Sequence, residues 1–160
     1  MKDYYSDIAS GYDRLHGEEQ LKKLRLIGKH FKPKAPLLDI GAGTGIAINF
    51  FNVDGVALDP SEGLLNQYGG KKVIGSAESI PLPDKAFNSV VSLTALHHVK
   101  DIDKAIREIK RVSKDGCDYA FSILKKAKNF NELKSKLELN FDLIEIDEEK
   151  DLILVSRTCC

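Results

Sequence analysis

The 160-residue sequence has little of several features that mark particular classes of protein. It has no tryptophan and three cysteines, Cys117, Cys159 and Cys160, which show neither a disulfide framework nor a Cys-x-x-Cys metal spacing, so we expect reduced thiols and no metal site. No segment approaches the roughly 18 consecutive apolar residues that a membrane span requires. The first residues also lack the basic and apolar segments of a signal peptide. These absences predict a cytoplasmic protein that has no membrane partner.

The sequence also lacks an excess of charge of either sign. Its 24 Lys and Arg residues balance 24 Asp and Glu residues, so the whole chain has no electrostatic preference for nucleic acid. One local exception is a basic stretch between positions 22 and 34 that contains no acidic residue: Lys22, Lys23, Arg25, Lys29, Lys32 and Lys34. We interpret this stretch as a solvated helix face, with RNA or an anionic substrate as the alternative partner.

The length and the 42% of apolar residues fit one compact domain. We interpret residues 1–17 as a loosely ordered N-terminal arm and residues 18–160 as a minimal core. Short apolar runs that predict strands alternate there with segments of helical spacing. The predicted strands are 37–40, 53–58, 71–75, 87–93, 119–124, 141–146 and 152–156, and the predicted helices are 18–32, 46–51, 61–68, 102–112 and 129–139. This order predicts a doubly wound α/β fold whose seven-stranded sheet is mostly parallel, with an antiparallel C-terminal strand and helices on both faces.

A glycine-rich turn, Gly41-Ala42-Gly43-Thr44-Gly45, follows the first predicted strand and precedes a helix. In an open parallel sheet, such a turn lies at the switch point where ligands bind, and glycine lets a ligand approach the backbone closely. Asp59 ends the second predicted strand, where a carboxylate can accept both hydroxyls of an adenosine ribose. The two features together predict an adenosine-containing ligand. The alternatives without a ligand are a purely structural role for the turn and a helix-capping role for Asp59.

The spacing of the glycines distinguishes between two kinds of adenosine ligand. The dinucleotide fingerprint requires Gly-x-Gly-x-x-Gly, and its third glycine position is Ile46 in this sequence. Asp39 precedes the first glycine by two positions, and its charge would repel a pyrophosphate and attract an ammonium or sulfonium group. The pattern therefore favours a positively charged adenosine ligand over NAD.

Four ordered motifs resemble those of the class I S-adenosylmethionine-dependent methyltransferases, and within them the ubiquinone and menaquinone biosynthesis methyltransferases. They lie at residues 37–45, 56–61, 75–83 and 87–112. The resemblance implies a Rossmann-like fold, S-adenosylmethionine as cofactor and S-adenosylhomocysteine as product. Asn88 stands where the family usually has Asp, and Lys114-Asp115-Gly116-Cys117 replaces the usual Lys-Pro-Gly-Gly. These departures concern the subtype and not a cofactor contact.

The resemblance also implies roles for individual residues. Asp59 would hold the ribose, Ala77 and Glu78 would contact the adenine ring, and the carbonyl near Thr94 would accept the cofactor's amino group. Tyr12 resembles part of an arm that folds over the cofactor. The alternatives are a solvated loop carboxylate for Glu78 and a packing role for Tyr12. The full set of predicted cofactor-binding residues is Tyr12, Asp39, Gly41, Ala42, Gly43, Asp59, Pro60, Ala77, Glu78 and Thr94.

Methyl transfer from a sulfonium needs a nucleophile held near attack distance, so a dedicated base is optional. If the acceptor must lose a proton, His97 or His98 after the fourth predicted strand is the best placed base, and we select His97 as the catalytic candidate. The alternative is a histidine that only packs in the loop. The sequence lacks the Asn-Pro-Pro-Tyr signature used on amide nitrogens and on the exocyclic amines of bases, which disfavours that chemistry.

We therefore expect a methyltransferase that acts on a small molecule. The alternatives are a partner-dependent methyltransferase of protein or RNA and a module that binds the cofactor without transferring methyl. The connections where relatives insert substrate caps are nearly empty, so specificity must come from the N-terminal arm, the loop at 96–100, or a second copy or partner subunit that covers the open side.

Overall fold

The computed structural model describes the backbone of residues 9–157 and the side chains of residues 17–157. The strands are β1 (Leu37–Ile40), β2 (Gly55–Asp59), β3 (Lys72–Ile74), β4 (Phe87–Leu93), β5 (Ser113–Leu124), β6 (Leu143–Asp147) and β7 (Asp151–Ser156). The helices are α1 (Ala9–Gly28), α2 (Ile46–Phe51), α3 (Glu62–Leu65), α4 (Ile102–Val112) and α5 (Phe130–Asn140), with a 3₁₀ turn at Leu96–His98.

The strands form a seven-stranded sheet in the order β3-β2-β1-β4-β5-β7-β6. Strands β1 to β5 are parallel, and β7 runs antiparallel to both β5 and β6. The predicted doubly wound, Rossmann-like sheet with its antiparallel C-terminal strand is therefore confirmed. Consecutive strands β1 to β3 extend the sheet in one direction and β4 onward in the other, so the order reverses between β1 and β4.

The hydrophobic core lies on both faces of the sheet, because successive strand residues point to opposite sides. Leu37 contributes to one cluster and Leu38 to the other, and Val91 and Val90 divide in the same way. Burial on both faces explains why these strands are continuous apolar runs without alternating polar residues. The face with α4 and α5 buries Ile102, Ala105, Ile106, Ile109, Leu133 and Leu137, and the face with α1 and α2 buries Leu24, Ile27, Ala47 and Ile48.

Helix α1 differs from its prediction at both ends. It begins at Ala9, inside the range 1–17 that we expected to be loosely ordered, and it ends at Gly28 instead of near residue 32. Leu24 and Ile27 are fully buried against the sheet, and a helix anchored in this way extends at small cost because no new nucleus is needed. At its C-terminal end the helix tightens into a turn, in which the N–H groups of Lys29 and His30 donate to carbonyls three residues earlier.

Strand β5 begins at Ser113, six residues before its predicted start. Gly116, which lies in the gap between the predicted helix 102–112 and the predicted strand 119–124, has a φ of 79° and belongs to β5. The pairing of β5 with β4 changes register between Phe87 and Ser89, so this gap is a local irregularity of one long strand. No helix among the described residues combines the length and apolar character needed to cross a membrane.

Candidate functional site

A cavity of about 600 Å³ opens at the carboxyl ends of β1, β2 and β4, where the strand order reverses. Open α/β sheets bind ligands at this position. Nine of the predicted cofactor-binding residues line the cavity: Asp39, Gly41, Ala42, Gly43, Asp59, Pro60, Ala77, Glu78 and Thr94. The tenth, Tyr12, falls in the backbone range of α1, but its side chain lies outside the described residues.

The glycine-rich turn adopts a backbone that requires glycine at its first position. Gly41 has a φ of 72°, and a Cβ atom built there would lie 2.4 Å from the Cβ of Ala95. The N–H groups of Gly41 and Ala42 donate to the carbonyl of Leu58 at 2.8 and 3.0 Å. The turn is thereby held between β2 and the loop after β4, with its backbone exposed to the cavity.

Asp59 joins this turn to the end of β2. Its Oδ2 accepts a hydrogen bond from the N–H of Gly43 at 2.9 Å, and its Oδ1 accepts one from the N–H of Ser61 at 2.8 Å. The cap of α3 is Ser61, whose Oγ accepts from the N–H of Leu64 at 3.3 Å. The helix-capping alternative for Asp59 is therefore wrong. The two backbone donors fix the orientation of this carboxylate, which lines the cavity.

Asp39 supplies the buried carboxyl group of the site. Its side chain is 2% exposed, and its Oδ2 has no hydrogen-bond partner. Burial raises the pKa of Asp39 to about 7, opposed by a hydrogen bond from the backbone of Ile48 and assisted by the charge of Asp59. A buried carboxylate oxygen without a partner requires a donor or a cation. This requirement matches the ammonium group of an amino acid ligand.

Ala77 and Glu78 lie on the loop after β3. Ala77 is buried, and the Glu78 carboxylate accepts hydrogen bonds from the N–H groups of Lys100 and Asp101 at 3.3 and 3.2 Å. The half-buried Glu78 carboxylate thus links this loop to the start of α4.

Arg111 on α4 holds the same loop by hydrogen bonds to its backbone, a role that was not predicted from the sequence. Its guanidinium donates to the carbonyls of Ile80 and Leu82 at 2.7 and 2.9 Å, and to the carboxylate of Glu108 at 2.8 Å. Glu108 in turn accepts the N–H of Ile80 at 2.7 Å. The hydrogen bond to Arg111 lowers the pKa of Glu108. The motif that contains Glu108 and Arg111 was visible in the sequence, but their hydrogen bonds to the loop at Ile80 and Leu82 were not.

Thr94 follows β4 and has a left-handed backbone, with a φ of 51°. Its hydroxyl contacts Lys23, Ser122 and Asp151, none of which was predicted to be near the site. Lys23 belongs to the basic stretch that we interpreted as solvated, yet its side chain is buried, so that interpretation is wrong for this residue. Gln20, Lys23, Leu24 and Ile27 share one helix face at the spacing i, i+3, i+4, i+7, which is the signal that marks Lys23 as inward.

The two histidines after β4 occupy different positions. His98 lines the cavity, whereas His97 does not. The rings lie 3.9 Å apart, and the buried Nδ1 of His97 has no hydrogen-bond partner. Burial lowers the pKa of His97, and the neighbouring His98 lowers it further, while Asp151 acts in the opposite direction. A molecule in the cavity would therefore contact His98 and not His97.

The remainder of the basic stretch points away from the cavity. Lys22 and Lys34 form exposed ion pairs with Glu149 and Asp118. A separate open hollow is lined by three further basic residues and several apolar ones: Arg25, Lys29, Lys32, Gly28, Phe31, Pro33, Phe50, Phe51 and Val53. The basic stretch therefore does not contribute an anion-binding wall to the cavity.

Comparison with known proteins places this site in a family. The family described as a methyltransferase domain matches residues 38–121. A malonyl-[acyl-carrier protein] O-methyltransferase of Methylococcus capsulatus is 33% identical over 137 residues, covering 74% of this chain and 49% of that protein. A demethylmenaquinone methyltransferase of Symbiobacterium thermophilum is 29% identical over 140 residues, covering 72% of this chain and 55% of that protein.

A solved structure supports the same fold. The crystal structure of an S-adenosylmethionine-dependent methyltransferase of Thermotoga maritima superimposes with a TM-score of 0.73 at 18% identity, covering 94% of this chain and 96% of that one. The chain spans about half the length of the curated relatives it matches. The family match covers more than half of this chain and coincides with the glycine turn, Asp59 and the loop after β4. The chain belongs to the class I S-adenosylmethionine-dependent methyltransferase family.

Proposed function

We propose that this chain binds S-adenosylmethionine and catalyses transfer of its methyl group to a small-molecule acceptor. The observation that carries the proposal is the meeting, at the switch point of the sheet, of the glycine turn with Asp59 and the partnerless oxygen of Asp39. An adenosine ligand with a cationic amino acid side is complementary to this combination, because one carboxylate suits the ribose and the other suits the ammonium group.

The fit can be assigned residue by residue. The backbone of Gly41 and Gly43 would lie against the methionine part, with the Asp39 carboxylate behind it. Asp59 would accept the ribose hydroxyls, and Ala77 would contact the adenine by its backbone N–H, with Glu78 beside it. The carbonyl near Thr94 would accept from the amino group. Tyr12 is proposed to close over the cofactor from α1.

When bound, S-adenosylmethionine supplies an electrophilic methyl group on a sulfonium. This chain's residues would contribute by holding the acceptor in line with that group and by excluding water from the cavity. Apolar side chains of Leu24, Leu64, Leu96 and Val99 form part of the cavity wall, which suits water exclusion.

A base would be needed only for an acceptor that must lose a proton. His97 is our proposed base, because burial lowers its pKa and so favours the neutral imidazole that proton abstraction requires. His97 is not part of the cavity wall, so His98, which is, becomes the second candidate.

We infer a small-molecule acceptor from the shape and lining of the site. A concave cavity with many apolar walls and a few convergent polar groups is typical of small-molecule sites. One similar protein is named a demethylmenaquinone methyltransferase, which fits this class. Another is named for a substrate carried on a protein, and a carrier-bound acceptor is the corresponding second candidate.

The experiment is a methyl-transfer assay with S-adenosylmethionine labelled in the methyl group. The protein is incubated with separate small-molecule, acyl carrier protein and RNA fractions, and the labelled fraction is identified. We expect label in the small-molecule fraction, lost in Asp59→Ala. Label only in protein or RNA would contradict the acceptor class, and binding of the cofactor without any transfer would favour a non-catalytic module.

A further inference from the structure

A buried polar network beside the cavity connects four elements that are distant in the sequence. The hydroxyl Oγ1 of Thr94 donates to Oδ2 of Asp151 at 2.7 Å, and the ammonium of Lys23 donates to the same hydroxyl at 3.3 Å. Lys23 also forms an ion pair with Asp151 Oδ2 at 3.1 Å. The third contact of the hydroxyl is with Oγ of Ser122 at 3.1 Å. Helix α1, the end of β4, β5 and the start of β7 thus meet at one threonine.

The contacts fix the direction of every hydrogen bond to this hydroxyl. The single proton of Thr94 goes to the carboxylate, because an ionised Asp151 can only accept. The two lone pairs of the hydroxyl are then available to Lys23 and Ser122, so the Ser122 hydroxyl donates. Oγ of Ser122 also accepts the backbone N–H of Thr94 at 2.9 Å. The Thr94 hydroxyl has no unused position, and the network therefore orients it completely.

This orientation coincides with an unfavourable backbone. Thr94 is β-branched and has a φ of 51°, in the left-handed region that such residues rarely adopt. Strained conformations of this kind persist only where the surroundings hold them, and they concentrate at binding sites. The neighbouring Ala95 packs against Gly41 of the glycine turn, at the position where a Cβ on Gly41 would collide. The conformation of Thr94 therefore determines how the loop after β4 meets the turn.

The ion pair that joins α1 to β7 has an unfavourable desolvation energy. The side chains of Lys23 and Asp151 are 7% and 0% exposed. Burying two charges costs desolvation that well-packed apolar residues would avoid, so stability alone does not account for the pair. The position of the pair explains it better. Lys23 lies on the same face of α1 as Gln20 and Leu24, which line the cavity, and Thr94 lines the cavity as well.

We propose that Lys23 and Asp151 are positioning residues, which hold Thr94 in its left-handed conformation so that the cavity receives the amino acid part of its ligand. The proposal rests on the proposed binding of S-adenosylmethionine and extends it to residues outside the cavity wall. The adenosine part would be held separately, by Asp59 and the loop after β3. Substitutions in the network should therefore weaken binding of the amino acid part of the ligand and leave binding of the adenosine part unchanged.

Two probe ligands distinguish binding of the amino acid part from binding of the adenosine part. S-adenosylhomocysteine contains the adenosine, the thioether sulfur and the amino acid part, whereas 5′-methylthioadenosine contains the adenosine and the sulfur but lacks the amino acid part. Calorimetric titration of Asp151→Asn should show about tenfold weaker binding of S-adenosylhomocysteine, as expected for loss of one hydrogen bond to a charged group, and unchanged binding of 5′-methylthioadenosine. The matched control is Glu149→Gln, because Glu149 pairs with the adjacent Lys22 of α1 while both side chains are exposed. This control should bind both probes as the unchanged chain does.

A second variant covers a failure of Asp151→Asn to fold. Thr94→Val removes the hydroxyl and leaves the Lys23–Asp151 ion pair in place, and it should show the same selective loss. An equal loss of both probes, or no loss of either, would overturn the positioning role. Failure of the unchanged chain to bind S-adenosylhomocysteine would instead contradict the proposed function, and with it the role of the network.

Discussion

The carboxylate of Asp59 accepts a 2.9 Å hydrogen bond from the backbone N–H of Gly43, sixteen residues earlier in the chain. This bond joins the end of β2 to the turn after β1, so two features that are separate in the sequence form one rigid unit. Because the second oxygen of the same carboxylate accepts from Ser61, the orientation of the side chain is fixed from both sides. The unit is pre-organised for a ligand that needs a carboxylate at this point.

Substitution of Asp59 tests this unit. We expect Asp59→Ala to weaken S-adenosylhomocysteine binding by about a hundredfold, because two charge-assisted hydrogen bonds to the ribose would be lost. Isothermal titration calorimetry measures the effect. The control is Asp54→Ala, since Asp54 is an exposed acid just before β2 whose only described ion pair is with Lys71. Equal affinities for the two variants would argue against a ribose contact at Asp59.

The first glycine of the turn should not tolerate a side chain. Gly41→Ala adds a Cβ at a φ of 72° and only 2.4 Å from the Cβ of Ala95, so we expect a loss of about 2 to 4 kcal/mol in the free energy of unfolding. Urea denaturation measures the loss. Gly69→Ala is the matched control, because nothing lies within 4 Å of the added atom there. A similar stability for both variants would show that the turn is more adaptable than its geometry indicates.

The buried Asp39 should give the ligand-free protein an unusual pH dependence. Its pKa is about 7 in the folded chain against an ordinary value of 3.8, so the folded state holds this proton more tightly than the unfolded state does. Stability from this group is therefore complete below about pH 4 and is lost as the pH rises to about 7, at up to about 1.4 kcal/mol per pH unit. Asp39→Asn should remove this component.

Urea denaturation of both proteins across that pH range provides the measurement. The difference in unfolding free energy between Asp39→Asn and the unchanged chain should grow as the pH rises from about 4 to about 7. A constant difference across the range would mean that Asp39 ionises at its ordinary pKa.

Arg111 should stabilise the loop that carries Ala77. Its guanidinium bonds to the carbonyls of Ile80 and Leu82 and to the carboxylates of Glu108 and Asp84. Arg111→Met therefore removes a donor from two loop carbonyls and two carboxylates. We expect a loss of about 1 to 3 kcal/mol in unfolding free energy. Arg107→Met is the control on the same helix, because Arg107 is exposed and an exposed substitution changes stability by about 0.5 kcal/mol or less. Equal urea midpoints would contradict the role of Arg111.

The fold was predictable because its signals are local and repeated. Apolar runs such as 37–40 and 87–93 alternate with segments of helical spacing, which is the pattern of a doubly wound fold. The start of α1 was not predictable, because burial of Leu24 and Ile27 against a distant sheet stabilises the turns that precede them. The early start of β5 likewise depends on pairing with β4, which no local pattern records.

The site was predictable where backbone chemistry dictates residue type. Gly41, Asp39 and Asp59 were identified because a tight turn and an adenosine ligand require those types at that spacing. The network of Lys23, Asp151 and Thr94 was missed, because its first two members are 128 positions apart and a lysine near other lysines resembles a solvated face. Glu78 was assigned to the site, but its bonds to Lys100 and Asp101 are visible only in three dimensions.

The most direct test of the central claim is calorimetric titration of the unchanged chain with S-adenosylhomocysteine, followed by NADH. Both ligands contain adenosine, but the buried Asp39 beside the glycine turn favours an ammonium group and disfavours a pyrophosphate. We expect one equivalent of S-adenosylhomocysteine to bind with a dissociation constant of about 1 to 100 µM, near −8 to −5.5 kcal/mol, and no heat with NADH. Binding of NADH without binding of S-adenosylhomocysteine would contradict the account.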